Sequence, residues 1–330
     1  MTKPQSQPEV ETNPPLRAVG WHRPLLWLSI AMAALAIVSV VGLFVDSRIL
    51  TGAPIWAKPL KFAISICVYT LTLSWLIGLL KRGQRFAWWA GTVAAVFLLV
   101  EIVVIVGAVI AGTTSHFNVS TPFHAAIWGV MAVSIVIVWA AALPVVVMLF
   151  RQDLGDIARS LAIRAGFVVA LIGMALAFLM TSPTPQQLSD FQGIAGAHTV
   201  GIPDGGPGLP ILGWSTVAGD LRIPHFIGMH ALQIIPLVEI ALEILARKSR
   251  VLRRPTTRRG IIWVVIALYV GVLAVVTGQA LSGESIVRPS PLVTLFTIVL
   301  FVGAALAIAA LVVRTRNSDS RATAERHKAL

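Results

Sequence analysis

The sequence predicts an all-α membrane protein, a single bundle of eight transmembrane helices with both termini cytoplasmic. Three observations predict it. Of 330 residues, 57% are apolar and only 12% charged, with a mean hydropathy of +0.85, against roughly 45–50% and 25% in soluble domains. Nearly uncharged runs of about 20 residues recur, each long enough to cross the hydrocarbon of a bilayer. The basic residues gather in alternate connections: 21 of 26 fall on one side of the proposed topology. That is the positive-inside pattern, and it requires an even number of spans.

The spans read as 24–45, 60–80, 86–111, 124–149, 163–181, 224–246, 260–281 and 292–313. The first is longer than a signal-peptide apolar core and lacks a small-residue cleavage pattern, so it reads as a retained helix. Residues 1–22 read as a polar, Pro-rich, disordered cytoplasmic tail, 23–313 as one transmembrane domain, and 314–330 as a cytoplasmic tail. Tryptophans cluster at predicted span ends, as interfacial aromatics do: Trp21, Trp27, Trp88, Trp89 and Trp263 on the cytoplasmic side, Trp56 and Trp128 on the outer side. Lys58 and Lys61 begin span 2 and are expected to snorkel outward. The net charge of +12 is thereby a topology signal and a grip on anionic lipid rather than a nucleic-acid footprint. Cys67, the single cysteine, excludes an internal disulfide and any CxxC motif and reads as a packing residue.

Among the outer connections, 112–123 and 282–291 are short, whereas 182–223 is long, Gly- and Pro-rich, and carries Phe191, Ile194, Ile211, Leu212 and Trp214. A loop of that length with apolar residues of its own is expected to fold back as a cap. KPLKF (58–62) resembles RIPHF (222–226), and GAVIAGTTS (107–115) resembles GQALSGESI (278–286), at separations of 164 and 171 residues. Spans 1–4 are therefore expected to repeat as spans 5–8. Four is an even number, so the halves share one orientation, a parallel 4+4 repeat with a site expected near its interface.

Five of the seven histidines fall on the outer side: His116, His124, His198, His225 and His230. Glu101 lies near the middle of span 3, where a charged carboxylate costs about 2.5–3.5 kcal/mol. It must face the bundle interior, pair, or take a proton. In PHFIGMHALQ (224–233) the five-residue spacing of His225 and His230 departs from the i,i+4 spacing of a helical zinc pair, so both join one site only if the helix starts late or kinks. His230 and Gln233 share a face, and Asp220 and Arg222 stand ready to orient His225. HFNVSTPFH (116–124) brings two further imidazoles to the same side. His116, His124, His225 and His230 are thus candidate ligands for haem b or a transition metal, with Glu101 and Gln233 as proton path or supporting residues. His198, in the cap, is a weaker candidate, and His22 and His327 read as solvated cytoplasmic residues. Glu239, Glu243 and Arg247, at four-residue steps, read as an ion-pair ladder along span 6. Gln279 and Glu284 border the outer end of span 7. The motifs of P-loop ATPases, HExxH zincins, GxSxG hydrolases and c-type cytochromes are missing from the sequence.

The strings TGAPIWAKPLKFAIS, SHFN and PHFIGMHALQ resemble a group of bacterial polytopic integral membrane proteins to which no activity is assigned. The resemblance implies a location in the inner (plasma) membrane. Three readings of function stay open to the sequence: a redox or metal/haem-binding membrane protein with a histidine cluster near its outer face, a proton-coupled secondary transporter using Glu101 in a central path, and a non-catalytic assembly protein.

Overall fold

The structure, a computed structural model, describes residues 19–328. The expectation of disorder for 1–18 lies outside the described residues, as do the side chains of 319 and 321–330, His327 among them. The helices are α1 (Arg23–Val45), α2 (Ala57–Gly78), α3 (Gln84–Ala111), α4 (Pro122–Phe150), α5 (Ile157–Ala175, extended by a 3-10 turn over Leu176–Met180), the short α6 (Pro185–Ser189), α7 (Arg222–Met229), α8 (Ala231–Ala246), α9 (Pro255–Leu281) and α10 (Pro291–Lys328). Seven of them are long and apolar enough to cross a membrane, and α7 with α8, bent by 42° at His230, pass the same test as a pair, which is a broken span or a re-entrant loop. The chain is a multi-pass membrane protein. Its exposed apolar surface agrees with that: none of the most apolar stretch of α10 is buried within the chain, a face that suits lipid and not water.

Local sequence sets the helix ends. Prolines occupy the first turns of α1, α4, α6 and α9, where the missing N–H costs nothing. Gly83 and Gly112 flank α3 in left-handed conformation, φ 71° and 68°. Thr121 and Asp156 cap α4 and α5 through their side-chain oxygens. His22 also caps: its Nδ1 accepts from Leu25 N–H and its Nε2 lies 2.9 Å from the Trp88 carbonyl. It is 1% exposed, which corrects its expected solvation. Burial, opposed by the Trp88 carbonyl, holds its pKa below the usual histidine value. The polar segment after Val313 continues α10 as helix.

The broken span is explained by its surroundings. Gly173 on α5 and Gly228 on α7 touch backbone to backbone: a Cβ at Gly173 would lie 2.1 Å from the Gly228 carbonyl carbon. Pro236 within α8 removes the donor to Leu232 and presses on its carbonyl. Between these two points the chain turns at His230, the kink on which a joint role for His225 and His230 depends.

The order of packing repeats. In the first half α1 packs on α2 and α3, α2 on α3, and α3 on α4. In the second, α5 packs on α7/α8 and on α9, α7/α8 on α9, and α9 on α10. Each half inserts a two-stranded antiparallel ladder before its second span: Ile49–Leu50 with Ala53–Pro54 (β1, β2), and Thr199–Val200 with Gly219–Asp220 (β3, β4). Gly283, 171 positions after Gly112, is likewise left-handed. The halves meet where α4 touches α5 and α2 touches α8.

Loops 112–121 and 181–221 share one end of the bundle, the cap face. They interlock: Val119 N–H donates to Gly193 O and Ala195 N–H to Phe117 O, each within 2.9 Å. Gln187 holds both the N–H and the carbonyl of Gly196. The 181–221 loop is thus a folded cap seated on the loop that carries His116.

Candidate functional site

The site is built from the first turn of α2, the middle of α3 and the loop that follows α3. Lys58 Nζ lies 3.1 Å from His116 Nδ1, and His116 Nε2 lies 3.6 Å from Glu101 Oε1. Ser115 Oγ stands 3.0 Å from the same Nδ1. Three rings pack around the imidazole: Phe62, Phe117 and Trp128. Glu101 is 4% exposed, and its Oε2 has no hydrogen-bond partner. Of the alternatives open to Glu101 in the sequence, it faces inward, with Oε2 unsatisfied.

Protonation states follow from the donors. A lysine ammonium can only donate, so while Lys58 is charged His116 Nδ1 accepts and its proton sits on Nε2, facing Glu101. Burial first, then the Lys58 charge and His198, hold His116 well below the usual histidine pKa. While Lys58 keeps its charge, the three groups stand as ammonium, neutral imidazole and carboxyl group in a row.

The cap adds a second pair. His198 Nδ1 lies 2.5 Å from Asp204 Oδ2, and the His198 and Thr199 N–H groups donate to the same carboxylate. Burial pushes Asp204 up, but its bonds from His198 and Thr199 outweigh this and hold it below the usual carboxylate range. Burial is the largest influence on His198 and lowers its pKa. The His198 ring packs on Phe117, which in turn contacts His116. Sequence reasoning ranked His198 low and missed Lys58. The signal for His198 was Asp204, six residues on. For Lys58 it was the KPLKF string, which places a cation at the cap-face end of α2.

The other candidates lie elsewhere. His124 takes part in the α4 cap, with Nδ1 2.9 Å from Thr121 Oγ1. His225 Nδ1 is 2.8 Å from Gly173 O, and His230 Nδ1 is 3.3 Å from Gln233 Oε1. Gln233 also donates to Thr72 on α2, so it joins the two halves rather than reaching Glu101. Asp220 is tied to Arg222, Ser215 N–H and the start of α7, not to His225. Among the described residues the one set of three or more His, Cys, Asp or Glu whose ligand atoms lie mutually within 4.8 Å is Asp156, Glu239 and Glu243. The four histidines are not gathered into one ligand set.

Two expectations are corrected. Lys58 and Lys61 do not snorkel away from the bundle: Lys58 turns in to His116, and Lys61 donates to Leu212 O of the cap at 2.7 Å. Glu239 and Glu243 do not form a ladder with Arg247 along one helix. Glu239 pairs with Arg258 of α9 and Glu243 with Arg159 of α5, and Arg258 also reaches Asp156. The interior of the bundle, where each charge needs a partner, overrides the surface i,i+4 rule. No protein-family model, curated protein or solved structure matches the chain.

Proposed function

We propose that this chain is a proton-coupled secondary transporter of the bacterial inner membrane, with eight spans, both termini cytoplasmic and a parallel 4+4 architecture. The observation that carries the reading is the buried Glu101, with one oxygen toward His116 Nε2 and the other without a partner. A buried carboxylate in that position sheds the cost of its charge by taking up a proton. Lys58 can pass a proton to His116 Nδ1 while Nε2 releases its own to Glu101. Lysine then becomes the neutral amine, the imidazole the other tautomer, and Glu101 the neutral acid, with no net charge created. At 3.6 Å the His116–Glu101 gap is longer than a hydrogen bond, so transfer requires the 112–121 loop to settle inward. The loop's lock onto the cap ties that movement to the cap.

Three further observations support the architecture: the repeated packing order, the paired ladders, and the left-handed glycines after α3 and α9. The contact of α2 with α8 places a seam between the halves, where alternating access operates in repeat-built carriers. The basic face opposite the cap is then cytoplasmic and grips anionic lipid. A metal or haem site made of all four histidines is supported less well, because they do not converge.

The test is reconstitution in liposomes with a trapped pH indicator and a panel of small solutes. Glu101→Gln, nearly isosteric but unable to accept the proton, is expected to abolish proton movement coupled to solute. Unchanged coupling for every solute that the wild type moves would remove Glu101 from the mechanism.

A further inference from the structure

We infer that the cap-face mouth between α2 and α7 binds a small carboxylate anion between Lys61 and Arg222, beside Gly213. Its coupling to protons rests on the Glu101 reading above; the binding site itself does not.

A turn of the cap lies here. Gly213 N–H donates to Leu209 O at 2.8 Å, and Ile211 and Gly213 are left-handed, φ 63° and 66°. Cations from the two halves hold consecutive carbonyls of this turn: Lys61 donates to Leu212 O and Arg222 Nη2 to Gly213 O. Because residue 213 is glycine, space is left where a Cβ would stand. The nearest atoms to that point are Arg222 Nη1 and Lys61 Nζ, each 3.8 Å away. Two cationic nitrogens therefore flank one opening and are separated by no more than twice that distance. A carboxylate spans such a gap with one charge-assisted bond of about 2.8 Å to each cation.

The donors are available. Arg222 spends Nε on Asp220, and Nη2 on Asp220 and Gly213 O; its Nη1 makes no hydrogen bond among the described residues. Lys61 spends one of its three N–H bonds and has no carboxylate within ion-pair distance among the described residues. Asp220 is 1% exposed and neutralises Arg222 alone, so the opening keeps an uncompensated positive charge. The Arg222 side chain is 26% exposed, which leaves the site open to solutes. Lys58, three residues before Lys61, shares its helix face and connects to His116 and Glu101. An anion at Lys61 raises the proton affinity of Glu101 through the field it adds, and by linkage the protonated protein binds the anion more tightly.

The experiment uses the purified full-length protein in detergent at constant ionic strength set with chloride. Acetate and succinate are the probes, with acetamide and methylammonium as neutral and cationic controls, all above about pH 6 so that the acids stay ionised. Binding is read as a saturable rise in thermal unfolding temperature. The carboxylates are expected to stabilise the wild type and the controls to do nothing. Lys61→Gln keeps a donor for Leu212 O and removes the charge; it is expected to weaken binding at least about tenfold. Arg222→Lys keeps the charge and loses the fork, and is expected to weaken binding as well. No saturable carboxylate effect, or equal binding by wild type and Lys61→Gln, overturns the site. Wild-type binding is expected to tighten more steeply as pH falls than that of Glu101→Gln, which still requires Lys61. An equal pH dependence in wild type and Glu101→Gln defeats the Glu101 reading and leaves the anion site standing.

Discussion

Replacing Arg258 by methionine tests whether the charges opposite the cap face form one clamp. Arg258 is 2% exposed. Its Nε donates to Glu239 Oε1 at 2.9 Å, its Nη1 to Leu252 O at 2.8 Å and its Nη2 to Asp156 Oδ2 at 2.5 Å. It thereby ties the start of α9 to α8 and to the cap of α5. Three carboxylates, those of Asp156, Glu239 and Glu243, share this space with two guanidinium groups, Arg159 and Arg258. Methionine matches the apolar stem and removes the charge. Glu239, 1% exposed, is then left without a cation, a change that costs about 3–5 kcal/mol. Adding Glu239→Gln removes one stranded charge and is expected to recover about 1–3 kcal/mol, the desolvation cost of an unpaired buried polar group. The assay is thermal unfolding followed by a thiol-reactive fluorophore. Cys67 is the only cysteine and sits against Ser29 inside the α1–α2 pair, so its labelling reports loss of the fold. The expected order of stability is wild type, then the double variant, then Arg258→Met alone. A double variant less stable than the single one refutes the clamp.

Three other outcomes follow from the geometry. Gly173→Ala drives a methyl into the Gly228 backbone at 2.1 Å and is expected to cost at least about 1–3 kcal/mol in the same thiol assay, with Gly173→Ser no better; wild-type stability in Gly173→Ala would show that the α5–α7 crossing is not tight. His116 is held well below the usual histidine pKa by burial and then by Lys58, so the unfolded chain takes a proton near pH 6.5 that the folded chain refuses. The stability due to neutral His116 is complete above that pH and is lost as pH falls below it, at up to about 1.4 kcal/mol per pH unit; His116→Asn should flatten the acid limb of the stability profile, and an unchanged slope counts against its neutral burial. Lys58→Met leaves Ser115 as the one polar neighbour of His116 Nδ1, and is expected to abolish proton coupling while leaving carboxylate binding at Lys61 weakened by less than Lys61→Gln weakens it.

The spans were legible because membrane crossing is a property of local composition. Each predicted run lies within, or within a few residues of, a helix. The partners of charged side chains were not legible, because they depend on which helices pack together. Glu243 finds Arg159 at 84 residues' distance, and Arg258 finds Asp156 at 102. A local rule pointed Glu243 to Arg247 on its own helix, and its partner is Arg159 of α5. Lys58 and Lys61 illustrate the same limit. A lysine in the first turn of a span ordinarily extends toward water. Here the folded cap and the inturned 112–121 loop supply acceptors on the inner side, and nothing in the KPLKF string specifies those loops. Glu101 was legible, since a carboxylate near mid-span has few alternatives.

Residues 23–150 and 157–318 share an order of helix packing and differ in their polar residues. At the 164-residue offset Lys58 corresponds to Arg222, Lys61 to His225, Ile66 to His230 and Tyr69 to Gln233; at the 171-residue offset Glu101 corresponds to Val272 and His116 to Val287. The cation that opens the second span is kept in both halves, as lysine and then arginine. The buried acid and its imidazole exist only in the first. In the second half the imidazoles move onto the broken span, where His225 rests on Gly173 and His230 on Gln233. A straight α2 carrying cations faces a kinked α7–α8 carrying imidazoles, and Gln233 to Thr72 is the polar bond between them. An identical pair of halves would offer the same charge to both sides of the seam. If Glu101 takes up the proton, as proposed, the field changes on the α2–α3 side of the seam alone, since the position matching Glu101 on α9 is Val272.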